Sequence, residues 1–175
     1  ADVKCSRLFF EDVKKHGGNA IMWKTGHAFI KTKLKEEQAD LAGEMSGHMF
    51  FANRYFGFDD GVYAGLRVIE ILDQKGKKLS ELLSDIPKTF ATPEIRAHST
   101  DDKKFQIVEK VAKYFEQHYP TVTIDGVRID FGDSWGLVRA SNTEPALVMR
   151  FEAPSEARLD EIRSIVEQKI AELSK

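Results

Sequence analysis

The sequence is poor in several features that define common classes of protein. Cys5 is the single cysteine in 175 residues, which excludes an internal disulfide and a cysteine-rich zinc site. No apolar run approaches the roughly 20 residues of a membrane helix, and no N-terminal signal pattern is visible. We therefore expect a cytoplasmic chain without a membrane partner. The formal net charge of −2 also argues against nucleic acid as a partner, since nucleic-acid binding needs a strongly basic face.

What the chain does contain is the material of a globular protein. Hydrophobic residues make up 42% and charged residues 31%, and twelve phenylalanines can supply a core. A length of 175 residues allows one full domain or two small ones. The apolar pattern begins almost directly after Ala1, without a polar lead-in, which predicts that the chain is a piece of a larger protein.

Helices and short strands alternate in the first half, which favours an α/β domain with a largely parallel mixed sheet. Ser6 is a natural helix cap, and Gly76 can end a helix whose apolar residues recur at helical spacing. In the second helix, Phe29, Ile30 and Leu34 are expected to face inward. The predicted helices cover 6–16, 28–38 and 60–76, and the predicted strands cover 19–23 and 39–42.

The pattern changes where Pro87 and Pro93 interrupt the chain, and we predict a boundary that divides it into domains 1–95 and 96–175. In the second domain, Asp125-Gly126 is a strong two-residue hairpin signal. This half is predicted to be a smaller α+β domain with an antiparallel four-stranded sheet flanked by helices. The strand-like runs are 95–99, 121–124, 127–131, 135–140 and 146–152, and the helices are 101–118 and 155–173.

The first candidate site is the polar stretch Gly43–Phe51. If the chain is extended here, Glu44, Ser46 and His48 fall on one face, because alternate side chains of a strand point the same way. A carboxylate, a hydroxyl and an imidazole together suit the donors and acceptors of a sugar. The alternative is a polar loop with a capping serine and a surface histidine, and the residues alone leave both interpretations open.

The second candidate site is Arg139–Pro145, between two predicted strands. It combines a guanidinium, two hydroxyls and a side-chain amide in a tight turn. A phosphate needs convergent donors, preferably with an arginine among them, and turn amides can complete an anion site. A plain hairpin loop with a structural arginine remains the alternative.

Two further polar segments are weaker candidates. Lys24–His27 precedes a helix, and helix N-termini favour anions, but a surface loop is the favoured interpretation. Asp59-Asp60-Gly61 lacks the periodic ligands of a calcium loop and is interpreted as a capping turn. No Gly-x-Ser-x-Gly motif, and no cysteine with a placed base, indicates a hydrolytic triad.

Taken together, these motifs resemble those of the α-D-phosphohexomutases. Gly-Glu-Met-Ser-Gly-His-x-Phe-Phe at 43–51, with Phe-Gly-Phe-Asp-Asp-Gly at 56–61, resembles their sugar-recognition segment. Arg-Ala-Ser-Asn-Thr-Glu-Pro at 139–145 resembles the phosphate-binding loop of their last domain. Asp-Val-Lys-Cys-Ser at 2–6 and Trp-Lys-Thr-Gly-His at 23–27 also match in order and spacing. Within the family, Glu-Met-Ser-Gly-His is most similar to the bifunctional bacterial phosphomannomutase/phosphoglucomutase branch.

The resemblance covers essentially the whole of this chain. It corresponds to only two of the family's four domains. It makes 1–95 the third, sugar-recognition domain and 96–175 the fourth, phosphate-binding domain. The family's phosphoserine motif, of the type Thr-Ala-Ser-His-Asn-Pro, and its Asp-Gly-Asp-x-Asp magnesium loop do not occur here. The resemblance therefore implies the missing N-terminal domains one and two as partners, Mg²⁺ bound by ligands outside this chain, and a fragment that is inactive alone.

The activity implied by the resemblance is that of an isomerase. It interconverts hexose 1-phosphate and hexose 6-phosphate through a hexose 1,6-bisphosphate, which also serves as activator. The resemblance makes His48 a participant in proton transfer. It assigns sugar contacts to Lys4, His27, Glu44, Ser46 and His48, and phosphate contacts to Arg139, Ser141, Asn142 and Thr143. Two alternatives stay open, a non-catalytic phosphosugar-binding module and an interaction domain whose loops are structural.

Overall fold

The computed structural model describes residues 1–174, in which the chain folds as two compact units. The first unit runs from Ala1 to Pro87, and the second begins at Lys88. The division falls before the predicted boundary at 95/96, because the short strand Phe90–Ala91 pairs within the second unit. No helix in the described part of the chain is long and apolar enough to cross a membrane.

Local capping chemistry sets the helix limits of the first unit. The Ser6 hydroxyl oxygen accepts the Leu8 N–H at 3.2 Å, and an Asp60 carboxylate oxygen accepts the Tyr63 N–H at 2.9 Å. Gly76 ends the third helix at a φ of 60°, in the left-handed region that favours glycine. The elements of this unit are α1 (Arg7–Lys15), α2 (His27–Glu36), α3 (Gly61–Lys75) and a 3-10 turn at Leu79–Glu81.

The sheet of the first unit is a short antiparallel ladder. Strand β1 (Leu41–Gly43) pairs with β2 (Met49–Phe51). The expected largely parallel sheet is not formed by the described residues of this unit, where one parallel bridge joins Asp2 to Trp23. The reason is chain length, because only residues 44–48 separate β1 from β2. A turn of that length joins antiparallel neighbours, whereas a parallel pair needs a crossover of about a dozen residues.

Few apolar side chains are buried in the first unit. Ile30, Leu34 and Phe50 form its buried cluster, and neither α1 nor α3 contains a buried residue. Phe29 was expected to face inward but is 48% exposed. It lies one position from Ile30, about 100° around the helix, and so falls off the stripe that Ile30 and Leu34 define.

The second unit is built on one antiparallel sheet. The strand order is β3-β8-β7-β6-β5, with β4 also paired to β8, and every pair is antiparallel. Its strands are β3 (Phe90–Ala91), β4 (Ile95–His98), β5 (Thr121–Val122), β6 (Val127–Asp130), β7 (Trp135–Ala140) and β8 (Ala146–Ala153). The sheet thus has six strands where four were predicted. Both β3 and β4 lie along β8, and Pro93 splits this edge because it has no N–H to donate.

Two helices cover one face of this sheet and bury the larger core. They are α4 (Asp101–Glu116) and α5 (Glu156–Leu173). Val111 and Phe115 of α4 and Ile162 and Val166 of α5 are fully buried in that core. Phe105 of α4 is 57% exposed, because its neighbour Lys104 occupies the inward position.

Gly126 is expected to be the least replaceable glycine in the turns of this sheet. A Cβ added there would lie 2.3 Å from the Val138 carbonyl oxygen and 2.6 Å from the Arg139 Cβ, and its φ is +77°. Gly132 has a φ of +90°, but an added Cβ would meet nothing within 4 Å. Gly132→Ala should therefore cost about 1 kcal/mol of unfolding free energy through backbone strain. Gly126→Ala should cost about 2 kcal/mol more, because the overlap forces the two chain segments apart.

Urea unfolding of the two variants, followed by a probe in the second unit, measures this difference. The indole N–H NMR signal of Trp135 is suitable, since that side chain is 2% exposed in the folded unit. Equal losses of stability in the two variants would contradict the close approach of the hairpin loop to β7.

Candidate functional site

Residues 44–48 form a tight hairpin loop instead of an extended segment. The Gly47 N–H donates to the Glu44 carbonyl oxygen at 2.9 Å, and the Glu44 N–H donates to the His48 carbonyl oxygen at 2.9 Å. Gly47 has a φ of 94°, in the left-handed region. A glycine in this conformation commonly ends a hairpin turn of three residues, which here are 45–47. Glu44, Ser46 and His48 could share one face only if the backbone were extended. Because the chain turns here, that condition is not met. Ser46 is instead exposed on the loop.

The Glu44 carboxylate turns inward and binds the chain before α2. Glu44 is 9% exposed, and its Oε1 accepts the Gly26 N–H at 2.8 Å. Gly26 caps α2, where a negative charge is favourable for the helix dipole. The protein itself thus supplies a negative charge at the helix N-terminus that follows Lys24-Thr25-Gly26. A carboxylate offers about four lone-pair sites, so Glu44 keeps acceptor capacity for a ligand hydroxyl.

His48 and His27 converge on Asp59, a residue that had been assigned to a capping turn. The His48 Nδ1 lies 2.6 Å from Asp59 Oδ2, and the His27 Nε2 lies 3.9 Å from the same oxygen. The Met49 N–H donates to Asp59 Oδ1 at 3.3 Å. A carboxylate at Nδ1 holds an imidazole in one orientation and leaves Nε2 to exchange a proton. Both histidine side chains are 49% exposed and are therefore reachable from solvent.

Lys4 lies against a buried carboxylate that the sequence analysis did not identify. Asp2 is fully buried, Lys4 is 8% exposed, and the Lys4 Nζ lies 3.9 Å from Asp2 Oδ2. The Cys5 thiol donates to Asp2 Oδ1 at 3.1 Å. Burial, followed by the charge of Asp2 and this hydrogen bond, raises the pKa of Cys5 to about 12.

In the second unit, Arg139 is held by the neighbouring hairpin. It is 7% exposed at the end of β7, and its Nε donates to Asp125 Oδ2 at 3.1 Å. Asp125 precedes Gly126, so the close approach of that loop to β7 brings the carboxylate to the guanidinium. The bond uses one donor of the guanidinium fork and fixes its plane.

The loop after β7 is tied down at both ends. The buried Ser141 hydroxyl oxygen accepts the N–H groups of Thr143 and Glu144 at 3.3 Å and 3.1 Å. The Glu144 carboxylate pairs with Arg96, and the Glu144 carbonyl oxygen accepts from Lys104 Nζ at 3.0 Å. Lys104 is 4% exposed, so this contact is shielded from water.

The structure brings the candidate residues together within each unit. In the second unit, Arg139 and Ser141 are buried while Asn142 and Thr143 are exposed on the same loop. In the first unit, the candidates lie on the N-terminal segment, the loop before α2 and the hairpin loop. Hydrogen bonds to the carboxylates of Asp2 and Glu44 connect these three segments. Sequence reasoning did not assign a supporting role to Asp2, Arg96, Lys104 or Asp125. It also missed the contact between Asp59 and the histidines. Most of the contacts that join these supporting residues to the candidate segments are between residues far apart in the chain, so no local spacing marks them. The resemblance of Asp-Val-Lys-Cys-Ser at 2–6 to the family was the one sequence feature that included Asp2.

Within residues 1–174, no group of three or more histidine, cysteine, aspartate or glutamate side chains is placed to hold a metal ion. The candidate residues offer hydrogen-bond donors, hydrogen-bond acceptors and charged groups.

Comparison with known proteins identifies the class to which this fold and these motifs belong. The family model of phosphoglucomutase/phosphomannomutase α/β/α domain III matches residues 1–90, and that of the C-terminal domain matches residues 94–169. The chain belongs to the phosphoglucomutase/phosphomannomutase family. The two-domain layout predicted from the sequence is confirmed by these consecutive matches.

Two bacterial relatives show the extent of the match. A phosphomannomutase/phosphoglucomutase of Pseudomonas syringae is 48% identical over 165 residues, covering 94% of this chain. A phosphoglucomutase of Neisseria gonorrhoeae is 48% identical over 166 residues, covering 93% of this chain. The chain spans 36% of the length of each of these proteins.

Solved structures agree with this assignment. A phosphoglucomutase/phosphomannomutase family protein of Burkholderia thailandensis matches with a TM-score of 0.87 and 44% identity, over 98% of this chain and 36% of that protein. An N-acetylphosphoglucosamine mutase of Aspergillus fumigatus matches with a TM-score of 0.67 and 15% identity, over 99% of this chain and 38% of that protein. The fungal protein shows that the fold is shared.

The Cys5 thiol is expected to resist alkylation in the folded chain. The thiolate is the reactive form, and the pKa of Cys5 is raised from 9.0 to about 12. At pH 8 the thiolate fraction, and with it the iodoacetamide reaction rate, should be about 1000-fold lower than in the unfolded chain. Mass spectrometry over time, with a urea-unfolded sample as control, measures both rates. Equal rates would show that Asp2 and the surrounding burial do not protect the thiol.

Proposed function

We propose that this chain forms the sugar-recognition and phosphate-recognition part of a phosphohexomutase. The whole enzyme would interconvert hexose 1-phosphate and hexose 6-phosphate through a hexose 1,6-bisphosphate, in the cytoplasm. The observation that carries the proposal is the pair of consecutive family matches, at 1–90 and 94–169, each containing one of the candidate sites. Because the chain spans 36% of its relatives' length, the activity is proposed for the longer protein.

The names of the relatives support a substrate class. The bacterial proteins are named phosphomannomutase/phosphoglucomutase and phosphoglucomutase, which supports a hexose monophosphate as substrate. A structure of the fungal mutase is a complex with GlcNAc-6P and magnesium, so a protein of the same fold holds a phosphosugar. We assign magnesium in the whole enzyme to residues outside this chain.

In the first unit, the hairpin loop would bind the sugar hydroxyls. The Glu44 carboxylate accepts hydrogen bonds, while the Ser46 hydroxyl both donates and accepts, so the pair suits neighbouring hydroxyls of a hexose. Lys4 and His27 would add donors from the two adjoining segments. A mutase must bind its sugar in two orientations. Hydroxyl groups that occupy equivalent positions in both orientations would make the same hydrogen bonds to the loop.

His48 would transfer the proton at the reacting oxygen. Its Nδ1 is engaged by Asp59 at 2.6 Å, which leaves Nε2 to take the proton from an attacking hydroxyl and return it in the reverse step. Asp59 would act as the positioning residue, since its second oxygen also anchors the Met49 N–H at 3.3 Å. This arrangement follows the general pattern in which a carboxylate orients a catalytic imidazole.

In the second unit, the loop after β7 would bind the phosphate that is not being transferred. Arg139 supplies a guanidinium fixed by Asp125, and forked donors match phosphate geometry. Ser141, Asn142 and Thr143 would add hydroxyl, amide and backbone donors. The anchors at Arg96 and Lys104 hold the loop in one conformation before the ligand arrives.

A second candidate is a phosphosugar-binding module without catalysis. It is favoured for the isolated chain because the sequence contains neither the phosphoserine motif nor the magnesium loop of the family. The two candidates differ in turnover, whereas both require hexose phosphate binding.

Hexose phosphate binding should depend on Arg139. NMR titration with glucose 1-phosphate is expected to move the amide signals of 139–143, because that loop would bind the phosphate. Arg139→Ala should abolish these movements, and Arg139→Lys should weaken them, since lysine keeps the charge without the fork. Arg163→Ala is the matched control, because it removes a surface guanidinium paired with Glu167 at 2.8 Å. Movements that persist in Arg139→Ala would contradict the phosphate assignment.

The isolated chain should bind without turnover. A coupled assay with glucose 1-phosphate, hexose bisphosphate and Mg²⁺ is expected to give no product above background, since the nucleophile of the family is absent from the sequence. A full-length bacterial relative serves as the positive control. Steady product formation by the 175-residue chain would show that these residues carry the chemistry themselves.

A further inference from the structure

We infer that Asp2 is the positioning residue of the proposed sugar site, holding three separate segments of the first unit in one arrangement. The inference rests on the proposed function. Asp2 is fully buried, so it cannot touch a ligand and can act only through the residues it binds.

The carboxylate of Asp2 collects donors from all three segments. Its Oδ1 accepts the Lys4 N–H at 3.2 Å and the Met45 N–H at 3.4 Å. Its Oδ2 accepts the Thr25 hydroxyl at 3.3 Å and lies 3.9 Å from the Lys4 ammonium. One side chain thus connects the N-terminal segment, the loop before α2 and the hairpin loop.

These contacts fall next to the groups proposed to bind the sugar. Met45 lies between Glu44 and Ser46, and Thr25 precedes Gly26, whose N–H donates to Glu44 at 2.8 Å. The hairpin loop and the loop before α2 are therefore joined twice, once through Asp2 and once through Glu44. Displacement of Met45 would move Glu44 and Ser46 together, because they are its chain neighbours.

The physical reason for this role is the cost of burying a carboxylate. A fully buried charge has lost its water and is tolerated only when donors replace it. Asp2 meets that requirement only when the three segments are in place together, so alternative loop positions carry a large desolvation penalty. Its own backbone is also fixed, since the flanking Val3 N–H donates to the Trp23 carbonyl oxygen at 3.0 Å.

The test compares Asp2→Asn with the wild-type chain in two NMR titrations. Asparagine keeps the shape but removes the charge and one acceptor oxygen. The dissociation constant for glucose 1-phosphate should rise about tenfold or more, the loss typical of residues that orient metal ligands. Binding of inorganic phosphate at 139–143 should be unchanged, because those residues lie in the other unit. A residue that merely kept the whole chain folded would not produce this difference between ligands.

Asp12→Asn is the matched control, because it makes the same change at a partly exposed position of the first unit, where Asp12 pairs with His16 at 3.4 Å. It should bind both ligands as the wild type does. If Asp2→Asn unfolds the first unit, Thr25→Val removes a single donor to Asp2 and should weaken glucose 1-phosphate binding with inorganic phosphate unaffected.

The outcomes separate the two claims. Wild-type affinity for glucose 1-phosphate in Asp2→Asn, or in Thr25→Val where the first variant does not fold, overturns the role of Asp2 and leaves the proposed function standing. Failure of the wild-type chain to bind glucose 1-phosphate overturns the proposed function and this inference with it.

Discussion

The desolvation of carboxylates is the constraint on which the first unit depends. Asp2 and Glu44 are buried, and each collects N–H or O–H donors from segments that are distant in sequence. A buried charge without such donors would destabilise the fold by several kcal/mol, so the loops adopt the positions that supply them. Hydrophobic packing contributes less in this unit, whose buried cluster consists of Ile30, Leu34 and Phe50.

The second unit is stabilised differently, and the difference suits its proposed task. A broad apolar core between its sheet and two helices makes a rigid base. On that base, one close backbone approach at Gly126 and one ion pair between Asp125 and Arg139 fix a guanidinium at the end of β7. A phosphate site needs donors held in advance of the ligand, and a strand end anchored in a core provides this.

Much of the architecture was predictable because its causes are local. The Ser6 and Asp60 caps, the Gly76 helix end and the Asp125-Gly126 hairpin follow from side-chain and backbone chemistry within a few residues. The sheets were harder, because pairing joins segments across the chain. The sequence patterns did not reveal that β3 and β4 share β8, or that residues 44–48 reverse the chain instead of extending it.

The sequence by itself determined the family, the order of the two domains and the identity of the candidate loops, because these reside in contiguous motifs. The tertiary structure decided which carboxylates hold those loops. Asp59 meets His48 and Asp2 meets Met45 through contacts 11 and 43 residues apart in the chain. Such contacts arise because a buried or partly buried charge takes whatever donors the fold brings near it, and sequence spacing does not record that proximity.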